Sequence, residues 1–391
     1  MTDVHKARMW LVCLAIAWPA AAWAEDDPDL SDRLEVRSAD GAYRLGVTGR
    51  VFLDAGAFYP DRADLEDHSQ VDSARLGLRG TVARDVDFLV QYELASLLRN
   101  DDVPAELRDA WAAYTGLQSW TLRLGQFQEP FSLEELTSAR YTTFMERGLP
   151  NAFVPGYHAG VAVAYHGQGW NVTGGYFGER WGNDDHDPGW GYAGRVTAAP
   201  VREEGRLLHL GASLAYREPD EETLRLRARP ETGLTDERLV STGTLTRVDR
   251  YLMEGLEAAW VQGPFSVQAE YVWSQVERSG GRPDADFQSG YVFASWFLTG
   301  ESRAYSPRRG VFTRVVPRGR YGAVEVALRR SMIDLDDGAV EGGVERNWTL
   351  GANWYLTGNL RLMVNAIWVS SERRGVEDDP RILQARLQYD F

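Results

Sequence analysis

Two arginines seven residues apart, Arg140 and Arg147, stand in the polar stretch FSLEELTSARYTTFMERGL (131–149), which also carries Ser132, Glu135, Thr137, Ser138 and Glu146. A guanidinium is planar, permanently charged and presents forked N–H donors, so arginines among hydroxyl side chains suit the binding or passage of oxyanions. Four more arginines, Arg50, Arg75, Arg79 and Arg123, lie among Val51, Leu53, Leu76, Leu78, Leu122 and Leu124. If those apolar side chains share one face of a strand, the arginines share the other. No Gly-x-Ser-x-Gly, His-Glu-x-x-His or glycine-rich phosphate loop is present, so a catalytic reading has no motif behind it. Asp184, Asp185, His186 and Asp187 are adjacent acids without calcium-loop spacing; no metal and no cofactor is implied.

The elements that must hold these side chains are strands. In the closing RILQARLQYDF, Leu383, Ala385, Leu387, Tyr389 and Phe391 alternate with Gln384, Arg386, Gln388 and Asp390. The same period of two runs through 43–53, 120–125, 265–274 and 347–356, and it marks half-apolar strands rather than helices. Short connections at 83–85, 116–119, 167–169, 262–264 and 358–359 alternate with long polar ones at 59–69, 97–106, 127–158, 178–190, 218–248, 276–286, 334–346 and 371–381. This alternation predicts sixteen antiparallel strands closed into a transmembrane β-barrel, with both termini on the short-turn side. Aromatic residues near strand ends fit the two membrane interfaces, and the terminal Phe391 fits a barrel-insertion signal read by the barrel assembly machinery. One segment, 300–318, is long but falls on the short-turn side; its Arg303, Arg308, Arg309, Arg314 and Arg318 are expected to be solvated.

Residues 1–24 read as a signal peptide: a basic start, an apolar run of ten residues and Ala22-Trp23-Ala24 as the cleavage site. The barrel domain is then 25–391, exported to the bacterial outer membrane. Cys13 lies in the leader, which leaves the mature chain without cysteine. Lys6 is the sole lysine, so every later basic side chain is arginine. A net charge of −15 argues against nucleic acid as a partner, although a local cationic field remains possible.

The segment GQFQEPFSLEELTSARYTTFMERGLPNAFVPG (125–156) resembles the signature of the phosphate-selective porin O and P family. DGAYRLGVTGRVFLDAGAFY (40–59), FLTGESRAYSPRRGVF (297–312) and QARLQYDF at the end are similar to it as well. The resemblance spans essentially the whole mature chain. It implies a homotrimeric sixteen-stranded porin whose third external loop folds inward, selective for small anions such as phosphate or polyphosphate. Thr137, Ser138, Arg140, Glu146 and Arg147 match the family pattern in place and type. Glu135 stands where phosphate-selective members carry a lysine, and Ala139 replaces a serine. A carboxylate about 4 Å from a phosphate would cost about 4 kcal/mol at an effective dielectric near 20.

The expected function is passive diffusion of small anions through an arginine-lined constriction at about 127–158, in contact with outer-membrane lipid. A general or weakly cation-selective porin is the alternative if Glu135 and the acidic loops dominate. An outer-membrane hydrolase or a binding receptor is the third reading. Ser132 is expected to cap a short helix with Glu135 reaching back to it.

Overall fold

The computed structural model describes residues 34–391 apart from 100, 102 and 183–188. The expected leader 1–24 and the acids 184–187 lie outside the described residues. Sixteen antiparallel strands form the wall: β1 Arg44–Tyr59, β2 His68–Val82, β3 Val86–Glu93, β4 Glu106–Leu117, β5 Trp120–Gln128, β6 Tyr157–His166, β7 Trp170–Phe177 and β8 Trp190–Glu203. The second half comprises β9 Arg206–Glu218, β10 Val248–Gln262, β11 Phe265–Arg278, β12 Ala285–Phe297, β13 Ala323–Asp337, β14 Val340–Tyr355, β15 Leu360–Arg373 and β16 Arg381–Asp390. Each strand pairs with its sequence neighbour, and β16 closes on β1 with Arg50 opposite Asp390 and Tyr59 opposite Arg381. Closure leaves the wall without an unpaired edge, as hydrocarbon requires.

The alternation is inverted relative to a soluble protein. On β16 the apolar Leu383, Leu387 and Tyr389 are exposed, whereas Gln384, Arg386, Gln388 and Asp390 are buried. The same holds for Leu76 and Leu78 on β2 and for Leu122 and Leu124 on β5. An outward apolar face and an inward polar one define a membrane barrel. Phe391 secures the seam: its backbone N–H donates to Gly49 O at 3.0 Å, and Gly49 N–H returns the bond at 2.9 Å.

Some expected long connections are short, and 276–286 contracts to 279–284. Residues 334–346 continue β13 and β14 to a two-residue turn, with Asp337 opposite Val340. Residues 374–380 replace the expected 371–381, and Val376–Asp378 folds back on Ser371–Arg373. Asp334, Asp336 and Glu341 give these strand ends a loop-like composition on the outward face, although Leu335 and Val340 stay buried on the inner one. A tight turn at 204–205 also went unseen between Glu203 and Arg206.

The strand count holds through 298–322, and this turn runs inward. Pro307 O accepts from Asn171 on β7, Gly310 O accepts from Arg195 on β8 at 2.8 Å, and Tyr305 OH lies 2.6 Å from His209 Nδ1 on β9. The expectation of solvated arginines therefore fails for Arg303 and Arg314, while Arg308, Arg309 and Arg318 stay exposed. Arg303 is buried, stacked 3.5 Å over the Phe312 ring and donating to Gln268, while Arg314 pairs with Asp390. Partners from the turn itself (Phe312) and from the wall (Gln268, Asp390) replace the water these two side chains would otherwise need.

The inner face of β9–β16 is covered. Phe131, Leu149 and Phe153 join Leu226, Val240 and Leu245 against Val272, Phe287 and Ile333 of the wall. Phe144 packs on Tyr291, Phe293 and Ala327. Open space remains beside β1–β8.

Candidate functional site

The segment 129–156 leaves β5 and touches strands far round the wall. Leu133 N–H and Glu134 N–H donate to the Glu270 carboxylate of β11 at 2.9 and 2.7 Å. Met145 N–H donates to Asn365 of β15, and Arg361 and Arg386 donate to the carbonyls of Thr142 and Met145. Helix Leu133–Leu136 is one turn long and Leu149–Phe153 is a 3-10 turn, so the segment holds two short helical turns, as Thr142 and Thr143 suggest. Ser132 caps the first, its Oγ accepting from Glu135 N–H at 3.1 Å, with φ at 67°. Only half of the expected capping box forms. The Glu135 carboxylate turns away to Arg147 Nε at 3.1 Å and to Gln128 Nε2 at 2.6 Å. The carboxylate expected to oppose an anion is thus neutralised within its own loop.

Arg147 also donates to the carbonyls of Glu134 and Glu135. Arg140 differs: its Nη2 donates to Thr48 Oγ1 of β1 at 3.1 Å, and it has no carboxylate within 4.0 Å among the described residues. Ser138 Oγ accepts from Arg140 N–H, and Thr137 is buried with an unpartnered hydroxyl. Glu146 accepts from Arg386 Nη2 at 2.8 Å. The same guanidinium bonds Asp54 and Asp72, so one β16 arginine sits among three carboxylates. The guanidinium already fills the position a metal ion would take there. Burial and the facing Asp72 and Asp54 carboxylates raise the Glu146 carboxyl to about 7 against the pull of Arg386.

Beside β1–β8 lies a water-accessible cavity of about 1320 Å³, lined by twelve arginines and four carboxylates. All four arginines expected to face the lumen are there. Arg75 pairs with Glu93 at 2.9 Å and donates to Tyr157 OH. Arg50 donates to Ser73 Oγ and stacks on Phe52. Arg123 lies between the Trp111 and Phe127 rings at 4.4 and 5.1 Å, and neither its Nε nor that of Arg79 has a hydrogen-bond partner. Arg50, Arg79, Arg123 and Arg140 form no ion pair with a carboxylate among the described residues, nor do Arg308 and Arg309 from the inward turn. Arg108, Arg195, Arg308 and Arg309 were not anticipated from the sequence. For Arg108 the signal was obscured by a register shift in β4 next to Gln91 and Tyr92 of β3, which breaks strict alternation.

A second cavity of about 1640 Å³ opens on the side of the long loops, and its lining is richer in carboxylates, among them Asp54, Asp64, Glu66, Asp72 and Glu93. Arg50, Arg75 and Arg108 line both cavities and mark where they meet. Tyr157 lies between two of these arginines, with Arg75 and Arg108 at 5.9 and 5.7 Å from its ring.

A closed sixteen-stranded barrel with an apolar exterior and a polar, water-accessible interior is an outer-membrane porin. Residues 45–391 match the model of the family described as phosphate-selective porin O and P, and the chain belongs to that family. It is 27% identical to Porin O of Pseudomonas aeruginosa over the whole of both chains. An uncharacterised protein of Caulobacter vibrioides is 31% identical over 84% of this chain and 68% of its own. The fold is shared with OmpT of Vibrio cholerae (TM-score 0.58, 12% identity, 90% and 98% of the two chains) and with the anion-selective porin from Comamonas acidovorans (TM-score 0.58, 14% identity, 89% and 100%).

Proposed function

We propose that this porin conducts small anions passively, with segment 129–156 as an inward-folded third external loop that narrows the passage. The observation that carries the reading is the cavity whose lining holds Arg50, Arg79, Arg123, Arg140, Arg308 and Arg309 without carboxylate partners. Cations fixed in a confined, partly desolvated channel concentrate anions and exclude cations. The bonds from 129–156 to β1, β11, β15 and β16 support the inward course of the loop. Arg140 is its solute-facing member, Ser132 and Thr137 shape the turn, and Ser138 lines the passage. Glu146, Arg147 and Glu135 hold the loop in place. The family's description as phosphate-selective, and the name anion-selective porin borne by a similarly folded protein, agree with this polarity. Solutes move down their gradients, and no bond is broken.

The chain is further proposed to be exported by residues 1–24, inserted by the barrel assembly machinery through the Phe391 end, and assembled as a homotrimer; a trimer form is recorded for the similarly folded OmpT. The reversal potential of the reconstituted channel under a salt gradient tests the polarity. Anion preference is expected, together with block of chloride current by phosphate that weakens in Arg140→Ala. The carboxylate-rich outer cavity favours the opposite reading, a weakly cation-selective porin, and a cation-preferring sign would establish it.

A further inference from the structure

Two arginines face outward from the barrel, away from the passage. Arg330 is at the centre of β13, seven residues from either end, and Arg346 sits on β14 across from Met332. Apolar neighbours flank Arg330, with Val292 opposite it on one side and Trp348 on the other, while Ser370 stands opposite Arg346. Arg330 lies 5.2 Å over the Trp348 ring. Neither arginine has a hydrogen bond or an ion pair within 4.0 Å among the described residues; Asp334 of β13 and Glu372 of β15, which flank Val344 towards the long loops, are acids on the same face. A guanidinium on the lipid face is costly in hydrocarbon unless a counter-charge or the headgroup layer meets it.

Next to these arginines the wall is grooved. Ala258 opposite Ala269 leaves a trough of about 510 Å³ between Leu256, Val292 and Met332, bounded by the Tyr271 ring where it lies over Gly290. The Tyr271 hydroxyl donates to Gln288 at 2.6 Å at its polar end. An apolar trough ending in two unpaired cations fits an amphiphile whose chain lies in the trough and whose phosphate reaches the guanidinium forks.

The geometry points to a binding site on the outer wall for one phosphorylated glycolipid of the external leaflet, held by Arg330 and Arg346 with an acyl chain along Ala258, Ala269 and the Tyr271 ring. The site is separate from the passage and does not depend on what the passage conducts.

The test is native mass spectrometry of the intact porin in mild detergent, offered phosphorylated lipid A or its dephosphorylated form. Wild type should retain one phosphorylated molecule per chain, and retention should fall about tenfold in Arg330→Gln/Arg346→Gln. Ala258→Leu should also lower retention, by filling the trough with the charges intact. Heat-modifiable migration and single-channel conductance should match wild type in both variants. Equal retention of the dephosphorylated lipid would overturn the proposal, as would displacement by millimolar inorganic phosphate. If the double variant instead changes the number of chains per particle, the face is an interface between copies and the lipid site is wrong.

Discussion

The guanidinium of Arg147 lies 3.1 Å from the Glu135 carboxylate, so the acid that departs from the family's lysine is held by an arginine twelve residues later in the same loop. The pair sits largely out of solvent, where a charge-assisted bond is worth more than on a surface. Removing either partner should therefore have opposite consequences.

Glu135→Gln should move the reversal potential toward stronger anion preference, because Arg147 is left without its counter-charge. Arg147→Ala should do the reverse and also loosen the loop by about 2 kcal/mol, since the carbonyls of Glu134 and Glu135 lose a charged donor. Bilayer recordings of both variants under one salt gradient check this. Shifts of the same sign would show that the pair does not set the charge of the passage.

Arg386 holds Asp54, Asp72 and Glu146 at once and bonds Met145 O. Arg386→Met should leave buried Asp54 without compensation and destabilise the protein by about 3–5 kcal/mol. Thermal unfolding in detergent measures the loss. Arg386→Met/Asp54→Leu should recover part of it, and a double variant no better than the single would count against the pairing.

The Glu146 carboxyl titrates above the ordinary range, at about 7, while its value in the unfolded chain is near 4.5. A raised folded pKa means that the native loop favours the protonated form. That contribution is complete below about pH 4.5 and is lost as pH rises through about 7. The side chain keeps 31% of its surface exposed, which moderates the effect. Open-channel noise should increase between pH 6 and 8, and Glu146→Gln should abolish the change. Noise that rises with acid instead would contradict the assignment.

Deleting Phe391 removes the two backbone bonds to Gly49 and a third from Thr48 Oγ1, each worth about 1 kcal/mol. The β1–β16 seam should fray, and heat-modifiable barrel in outer membranes should fall. Phe391→Tyr, which keeps the backbone and a ring, should insert nearly normally. Equal loss in both would place the effect in recognition of the side chain rather than in closure.

The barrel was legible in the sequence because its physics is local. Leu383 to Tyr389 alternate on one strand, and hydrocarbon outside against water inside leaves that mark on every wall segment. The arginines at 50, 75, 79 and 123 were placed by the same rule. What period two does not encode is which distant groups meet. Arg386 is 332 positions from Asp54 and 240 from Glu146, and barrel closure alone brings them together. The inward turn failed for a related reason: Arg303 looks like a surface residue until Phe312 and Gln268 supply its surroundings. At 334–346 the error was of another kind, since Asp334, Asp336 and Asp337 have loop composition but strand geometry.

The filled inner face of β9–β16 divides the chain into two kinds of mutational territory. In that half a substitution must fit a volume, because loops and wall interlock there. Along β1–β8 buried Phe127 and Phe177 still have to fit, but the arginines that line the cavity need only respect charge and reach. Selectivity can therefore drift by exchanging single side chains on one side of the molecule, while the other side stays fixed as its keel.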